Sequence, residues 1–562
     1  MTDTEREPTA GRADGPENGP QTGAAAGPAA PGRPRVDMSV EAAHEQYAPG
    51  RGGGAPGGGH EVQVLVRLRA EGLDATVPRR PPERSEVIVI DCSGSMGHPS
   101  VRKIAAARRA AAAAIEMLPD GTHFALVEGT DTARVVHPRR DPASPATVAA
   151  SPASRADGAR AARALEAHGG TRISSWLSLT RRLLTARPGA AFRHALLLTD
   201  GMDQHGRAEE LRRVLDDCAG EFVCDALGIG EGWDAEQLRE IADRLHGRVE
   251  AVVDDPPDAG LPGAGSPDAD GSQADGAGAD GEGLGEQLTR LFRELVGAST
   301  RRTLAGLTLA VHTGPQASVA LFRQVNPTVL DLTGTAVRDG GRTLLPTGAW
   351  GDETRWYELR LCVDPGHPSV RGVREARIAS LRLETEDAAG VVLPREEQIT
   401  VRWVAEAPPT DLGAAGRHFR RYTELEEATR AGCAALGRHD VPSAERELGR
   451  AVRLAYELND TAHLARLRAL VTVENAAVGL VRVRDAVDPG HLRKLIARSS
   501  RTAPPPRAGG AAPSPPGTSR DVPGGEGGGH SEKPPVCCRR CAEWVRPDRF
   551  CESCGHPLGE ER

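Results

Sequence analysis

The chain has 562 residues, of which 39% are hydrophobic and 26% charged, with a formal net charge of −8. That length accommodates two to four domains, and the composition suits a folded globular chain. The mild acidity excludes the bulk basic charge that nonspecific nucleic-acid binding uses. The opening stretch MTDTEREPTAGRADGPENGP has neither the basic nor the apolar segment of a signal peptide. No apolar run approaches the roughly 20 residues that cross a bilayer, so a cytoplasmic location is expected.

Residues 1–36 are rich in Gly, Pro and Ala and are expected to be disordered. Residues 37–84 hold one clear strand, EVQVLVRLRA, which must find a partner elsewhere and is expected to join a later β-sandwich. From residue 85 to residue 297 strands and helices alternate. EVIVID, THFALVEG, ARVVH, FRHALLLTDG, EFVCDALGIG and RVEAVV read as strands. The stretches around KIAAARRAAAAAIEML, SRADGARAARALEAH, ISSWLSLTRRLLTA, AEELRRVLDDCA, DAEQLREIADRL and GEQLTRLFRELVG read as helices. Apolar strands alternating with helices predict an α/β domain with a mainly parallel sheet. The acidic, Gly-rich segment 254–283 interrupts it as a solvated loop, because it lacks the full spacing of a calcium loop.

Residues 303–404 change to period-two alternation between turn residues, which predicts an antiparallel β-sandwich. Residues 411–500 read as a helical bundle. Its first two helices, separated at Pro442, resemble one tetratricopeptide-type unit. One unit is too few for a binding array. Residues 501–535 read as a Pro/Gly linker, and residues 536–562 carry half of the ten cysteines. The remaining five, Cys92, Cys218, Cys224, Cys362 and Cys433, are scattered singly and read as small buried apolar residues.

The stretch VIVIDCSGSMG concentrates oxygen ligands. Asp91 ends an apolar strand, where ligands of open α/β sheets bind. Ser93 and Ser95 follow at spacings of two and four, and Gly94 and Gly97 let the backbone turn. One carboxylate and two hydroxyls are hard donors, too few for a cation that takes six oxygens. Thr171, in HGGTRISSWL, and Asp200, at the end of ALLLTDG, are the candidates to complete the set. His98 is close by, but a loop histidine is more simply solvated. No G-x-x-x-x-G-K-[ST], H-E-x-x-H or G-x-S-x-G motif occurs. No catalytic residue is therefore assigned, and the chain is not expected to be an enzyme.

The D-x-S-x-S, G-G-T and T-D-G motifs resemble the metal-ion-dependent adhesion site of the von Willebrand factor type A domain. The resemblance covers roughly residues 85–297 and implies a Rossmann-like α/β fold. It also implies Mg²⁺ (or Mn²⁺ or Ca²⁺) held by Asp91, Ser93, Ser95, Thr171 and Asp200, with a partner's carboxylate completing the shell.

The tail VCCRRCAEWVRPDRFCESCGHPL holds two C-x2-C pairs, Cys538 with Cys541 and Cys551 with Cys554. Four thiolates at this spacing suit a structural tetrahedral Zn²⁺, and so short a segment needs the metal to fold. The tail resembles a small bacterial zinc-ribbon. Cys537 in place of Cys538, and His556 as a substitute ligand, stay open. Arg539, Arg540, Arg546 and Arg549 beside Trp544 and Phe550 are compatible with nucleic acid, although a protein-contact or stability role is preferred.

The resulting expectation is a metal-dependent protein–protein interaction scaffold. By resemblance, its partners include protein kinases, phosphatases and AAA-type ATPases. The alternatives are an accessory subunit of a chelatase- or MoxR-like ATPase machine, or a nucleic-acid-binding regulator acting through the ribbon. No membrane partner is expected.

Overall fold

The computed structural model describes residues 33–42, 45–47, 60–73, 82–97, 103–139, 146–203, 208–252, 280–385, 390–404, 413–506, 536–537 and 544–545. In chain order, strands β1 (Arg35–Ala42), β2 (Glu45–Tyr47) and β3 (His60–Glu71) come first. An alternating region follows: β4 (Arg84–Asp91), α1 (Lys103–Glu116), β5 (His123–Gly129), β6 (Ala133–His137), β7 (Val148–Ala149), α2 (Pro152–Arg163) and α3 (Ile173–Thr185). It continues with β8 (Phe192–Thr199), α4 (Ala208–Cys218), β9 (Val223–Ile229), α5 (Ala235–Arg244), β10 (Val249–Val252) and α6 (Asp280–Arg301).

These strands form one sheet in the order β10-β9-β8-β4-β5-β6, with β7 also on β5. Strand β4 is central and runs parallel to both β8 and β5, whereas β6 and β7 are antiparallel. From Ser85 to Asp91 every residue of β4 is buried. Val87 and Val89 face one apolar cluster, with Trp176 of α3, Leu211 of α4 and Leu238 of α5. Ile88 and Ile90 face the other, with Ala107 and Ile115 of α1 and Phe292 of α6. Burial on both faces is why this strand reads as a continuous apolar run rather than an alternating one.

Next come β11 (Thr308–Thr313), β12 (Ala317–Asn326), β13 (Leu330–Asp331), β14 (Val337–Asp339), β15 (Arg342–Pro346), β16 (Thr354–Val363), β17 (Glu375–Glu384) and β18 (Glu397–Val404). They form two sheets, β1-β3-β16-β12-β13 and β14-β15-β11-β17-β18-β2. Alternate residues of both, including Val64, Leu68 and Tyr357 from one and Leu309, Leu381 and Val401 from the other, share a single core. Residues 33–42 therefore correct the expected N-terminal boundaries. Strand β1 pairs with the whole second half of β3, and its VDMSV pattern is a half-buried edge strand rather than a disordered tail. Residues 1–32 lie outside the described part.

The last region holds α7 (Gly413–Gly437), α8 (Val441–Glu457), α9 (Thr461–Arg468), β19 (Val471–Asn475), β20 (Leu480–Val483) and α10 (Pro489–Ala497). The antiparallel β19–β20 hairpin corrects the all-helical expectation for 411–500. Val471, Thr472, Val473, Val481 and Val483 are β-branched. Asn475 Oδ1 accepts the Ala477 N–H at 3.0 Å, and Gly479 takes φ +72° to close the turn. A Cβ on Gly449 of α8 would lie 2.2 Å from the Gly479 carbonyl oxygen, so this glycine lets the hairpin lie on the helix. Residues 501–506 are not linker either. The Thr502 N–H donates to the Pro327 carbonyl at 3.0 Å, and Asn326 Nδ2 donates to the Thr502 carbonyl at 3.1 Å. The end of the expected acidic loop, 280–283, belongs to α6, where the Leu284/Leu288/Phe292 stripe packs on α1. The rest of that loop, 253–279, lies outside the described residues.

At the edge of the sheet where β4 begins, three adjacent strands bury a charged row. His194 Nδ1 lies 2.6 Å from Glu86 Oε1, and its Nε2 lies 3.2 Å from Asp225 Oδ2. All three residues are at most 4% exposed. Burial alone would lower the histidine pKa, but the two carboxylates outweigh it and raise it to about 10. The Asp225 carboxyl, which burial alone would raise, is pulled down to about 2 by its hydrogen bond to His194. A raised histidine contributes stability that is complete below about 6.5 and is lost as pH rises through about 10. His194→Gln removes the cation shared by two buried carboxylates, leaving them only more distant guanidinium groups, and is expected to cost about 3–5 kcal/mol at neutral pH. Urea unfolding of both forms checks this, and the difference should shrink above pH 10, where wild type loses the same proton.

Candidate functional site

The sheet order places the site. Strand β5 lies on one side of β4 and β8 on the other, so the chain leaves the C-terminal ends of neighbouring strands in opposite directions and opens a crevice there. Asp91 occupies the end of β4 and is fully buried. Its Oδ1 accepts the Ser93 N–H at 2.8 Å. Its Oδ2 accepts the Thr199 hydroxyl at 2.6 Å, with the Asp200 N–H at 3.4 Å. The first turn after the strand is thus shaped by the carboxylate itself, an Asx-type turn. Met96 is completely buried and pins the turn to the core beneath.

The hydroxyls lie in a chain above it. Ser93 Oγ and Ser95 Oγ are 3.0 Å apart, and Ser95 Oγ donates to Asp200 Oδ1 at 2.7 Å. The Thr171 loop is stitched to this turn by backbone bonds, Gly94 N–H to the Gly169 carbonyl at 3.0 Å and His168 N–H to the Cys92 carbonyl at 2.6 Å. On its other side Arg172 N–H reaches the Thr130 carbonyl beyond β5. A Cβ on Gly201 would come 3.3 Å from Thr171 Oγ1, which puts this hydroxyl beside the Asp200 turn. Gly169 takes φ +72° and a Cβ there would meet Asp131 Oδ1 at 2.8 Å, so the loop needs glycine at that position. All five oxygen-bearing residues named from the sequence therefore meet at one sheet edge.

Two further residues belong to the site and escaped the sequence reading. Thr199 supplies the shortest hydrogen bond to Asp91. Lys103, the first residue of α1, binds Asp200 Oδ2 at 2.7 Å with its side chain 12% exposed. Its signal was compositional, since the chain contains only three lysines among 70 basic residues. The signal of Thr199 was its position, next to Asp200 at the end of a buried strand.

Burial raises the Asp91 pKa to about 6, opposed by the Ser93 and Thr199 hydrogen bonds and reinforced by the Asp200 charge. The arrangement suits a small divalent cation. Two carboxylates and three hydroxyls are hard oxygen donors. The residue carrying the Thr171 hydroxyl is 2% exposed, and that hydroxyl has no hydrogen-bond partner among the described residues. No group of three or more His, Cys, Asp or Glu side chains with metal-ligand placement occurs among the described residues, which is compatible with a site where only two donors are carboxylates.

The doubly covered parallel sheet and the Asp91–Ser93–Ser95–Thr171–Asp200 edge define a von Willebrand factor type A domain, and the chain belongs to that family. A profile of the von Willebrand factor type A domain matches residues 86–251. The chain is similar to the solved von Willebrand factor type A protein of Catenulispora acidiphila, with 31% identity over 85% of this chain and 98% of that one and a TM-score of 0.66. It is also similar to the ArnB paralog VWA2 of Sulfolobus acidocaldarius, with 11% identity, 83% and 98% coverage and a TM-score of 0.44. An uncharacterized Synechocystis protein, sll0103, is 24% identical over 305 residues, 53% of this chain, and the match spans 60% of its own length.

The tail cysteines Cys538, Cys541, Cys551 and Cys554 lie outside the described residues, as do His98 and His556. Of the tail, Val536–Cys537 pairs antiparallel with Trp544–Val545. Cys92, Cys218, Cys224 and Cys433 are buried free thiols and Cys362 is half-buried. No helix among the described residues is long and apolar enough to cross a membrane.

Thr199→Val removes the main donor to Asp91 with little change of shape. It is expected to lower stability by about 1.5–3 kcal/mol at pH 7 in buffer without divalent cations. Because the Asp91 pKa is raised, its ionised form opposes folding, and the stability linked to its proton is lost as pH rises through about 6. The cost of Thr199→Val should therefore diminish at pH 5, where Asp91 is protonated; denaturant titrations at the two pH values check it.

Proposed function

We propose that this protein is a non-catalytic interaction scaffold that captures a partner protein through a divalent cation at the Asp91 edge. The observation that carries the reading is the convergence of Asp91, Ser93, Ser95, Thr171 and Asp200 on one crevice, with Ser95 exposed at its surface. These five residues would hold Mg²⁺, and the bound ion would supply a hard acceptor site for an oxygen from outside the chain. A carboxylate on the partner is the complementary group, being anionic and oxygen-based. The chain's own part is positional. Thr199 fixes the Asp91 carboxylate, Lys103 neutralises Asp200, and the Gly94–Gly169 bond keeps the Thr171 loop in place.

Thermal unfolding tests the first half of this reading. Wild type is expected to gain about 2.7 kcal/mol when Mg²⁺ reaches a hundredfold excess over its dissociation constant, and Asp91→Ala to gain nothing. Affinity capture in Mg²⁺ buffer tests the second half. A partner retained by wild type and by Asp91→Ala alike would refute the metal-face assignment, whereas one lost with Asp91→Ala, and identified as a kinase, phosphatase or ATPase, would place the scaffold.

For the tail we propose a structural zinc held by Cys538, Cys541, Cys551 and Cys554, on the strength of the paired spacing. Elemental analysis of the purified chain is expected to find about one zinc per chain, lost on Cys551→Ser substitution.

A further inference from the structure

A cavity of about 1350 Å³ lies at the opposite edge of the parallel sheet from Asp91. Its walls are the starts of β8 and β9 with Arg248 and Glu250, the end of α6, the sandwich around Thr347–Arg355, and the segment after α10. Three regions of the chain thus meet around one space, the kind of place where small ligands bind. The charges facing it are unevenly paired. Glu250 is shared by two guanidinium groups, Arg498 at 2.9 Å and Arg501. Arg248 Nε stands 4.0 Å from Asp225 Oδ1, an oxygen that already accepts the Arg248 N–H at 2.7 Å, while Asp225 Oδ2 is held by His194. Arg302 has no hydrogen-bonded or ion-paired side-chain partner among the described residues. Two carboxylates lie within its electrostatic reach, Glu353, held by Arg355 at 2.5 Å, and Asp225, held by His194. On the facing wall Asp331 and Asp352 accept backbone N–H groups of Thr333 and Leu73.

We propose that this cavity binds a phosphate-bearing small molecule, with Arg302, Arg248 and Arg501 as its anchors. The three guanidinium groups come from three separate elements, the end of α6, the turn before β10 and the segment after α10. A tetrahedral phosphate presents terminal oxygens in several directions and can accept from all three, whereas a planar carboxylate is satisfied by one guanidinium fork. The volume exceeds the need of an inorganic ion and accommodates a nucleotide-sized molecule. Burial and the neighbouring Arg355 pull the Arg302 pKa down to about 10, so it stays cationic at neutral pH and gains from an anion. This inference is independent of the adhesion-site reading and concerns the other edge of the sheet.

Isothermal titration of the full chain with ADP, with pyrophosphate and with citrate, without added divalent cation so that the Asp91 edge cannot recruit a phosphate, tests it. The expected result is saturable binding of a phosphate probe, weakened on the order of tenfold or more in Arg302→Gln. The melting temperature of Arg302→Gln should change little, because this guanidinium makes no hydrogen bond or ion pair to a side chain among the described residues and feels Glu353 and Asp225 only at longer range. ADP binding well above pyrophosphate would assign a nucleotide, and the reverse a free inorganic anion. Should Arg302→Gln fold poorly, Arg302→Lys, which keeps the charge and loses the fork, is expected to fold and to bind more weakly than wild type. No saturable binding of either phosphate probe, equal binding of citrate, or equal affinity in wild type and the Arg302 variants overturns the proposal.

Discussion

An ionisable carboxylate at the end of a strand buried on both faces is the constraint around which this molecule is arranged. Strand β4 passes between two apolar layers and ends in Asp91, which is fully buried. A charge in that position needs donors on every side. The next turn provides the Ser93 N–H, and the neighbouring strand provides the Thr199 hydroxyl and the Asp200 N–H. Meeting that requirement brings the ends of β4 and β8 together, and the hydroxyls of Ser93 and Ser95 follow from the same turn. The groups that shield Asp91 are therefore also the groups that build the oxygen-lined crevice.

The packing that supports the crevice depends on two glycine–tryptophan contacts. A Cβ on Gly129, at the end of β5, would fall 2.5 Å from the Trp176 ring, and one on Gly228, in β9, would fall 2.2 Å from the Trp233 ring. Both indoles are buried and each donates its N–H to a loop carbonyl, Trp176 to Thr130 and Trp233 to Gly230. Trp176 belongs to the helix that starts two residues after Thr171, so its seating on Gly129 fixes how that loop meets the Asp91 turn. The opposite edge of the sheet is arranged differently. Charges there are buried and paired, as in Glu86–His194–Asp225, and covered by the sandwich and the last helix. Arg239 of α5 joins this covering, donating to Glu426 of α7 at 2.5 Å and to Ser499. One edge carries the oxygen-lined crevice at Asp91, while the other is closed over a charged cavity.

Legibility in the sequence followed burial. Strands covered on both faces, such as IVID and ALLLT, read correctly because an apolar run between turn residues has few other solutions. The five oxygen-bearing residues of the crevice were legible because each sits at a strand end or in a glycine turn, positions that local sequence marks. Strand β1 was missed because an edge strand with one wet face has a diluted pattern. The β19–β20 hairpin was missed because it lies between helices and its apolar residues, Val471, Val473 and Val481, are few. Its nature is set by packing on α8 through Gly449, a contact between residues 30 apart in the chain. Lys103 and Thr199 were missed because their roles exist only once Asp200 and Asp91 are placed beside them.

The sequence by itself determined the order of the regions, the doubly buried parallel sheet, and which oxygen-bearing side chains stand at its strand ends, since hydrophobic periodicity and turn chemistry are local properties. It also shows the paired C-x2-C spacing of the tail cysteines. Only the tertiary structure decided which charges neutralise which. Lys103 with Asp200, His194 between Glu86 and Asp225, and Arg239 with Glu426 join residues 97, 108, 31 and 187 positions apart. Electrostatic energy depends on distance through space and on the loss of water around each group, and neither is encoded in the spacing of residues along the chain.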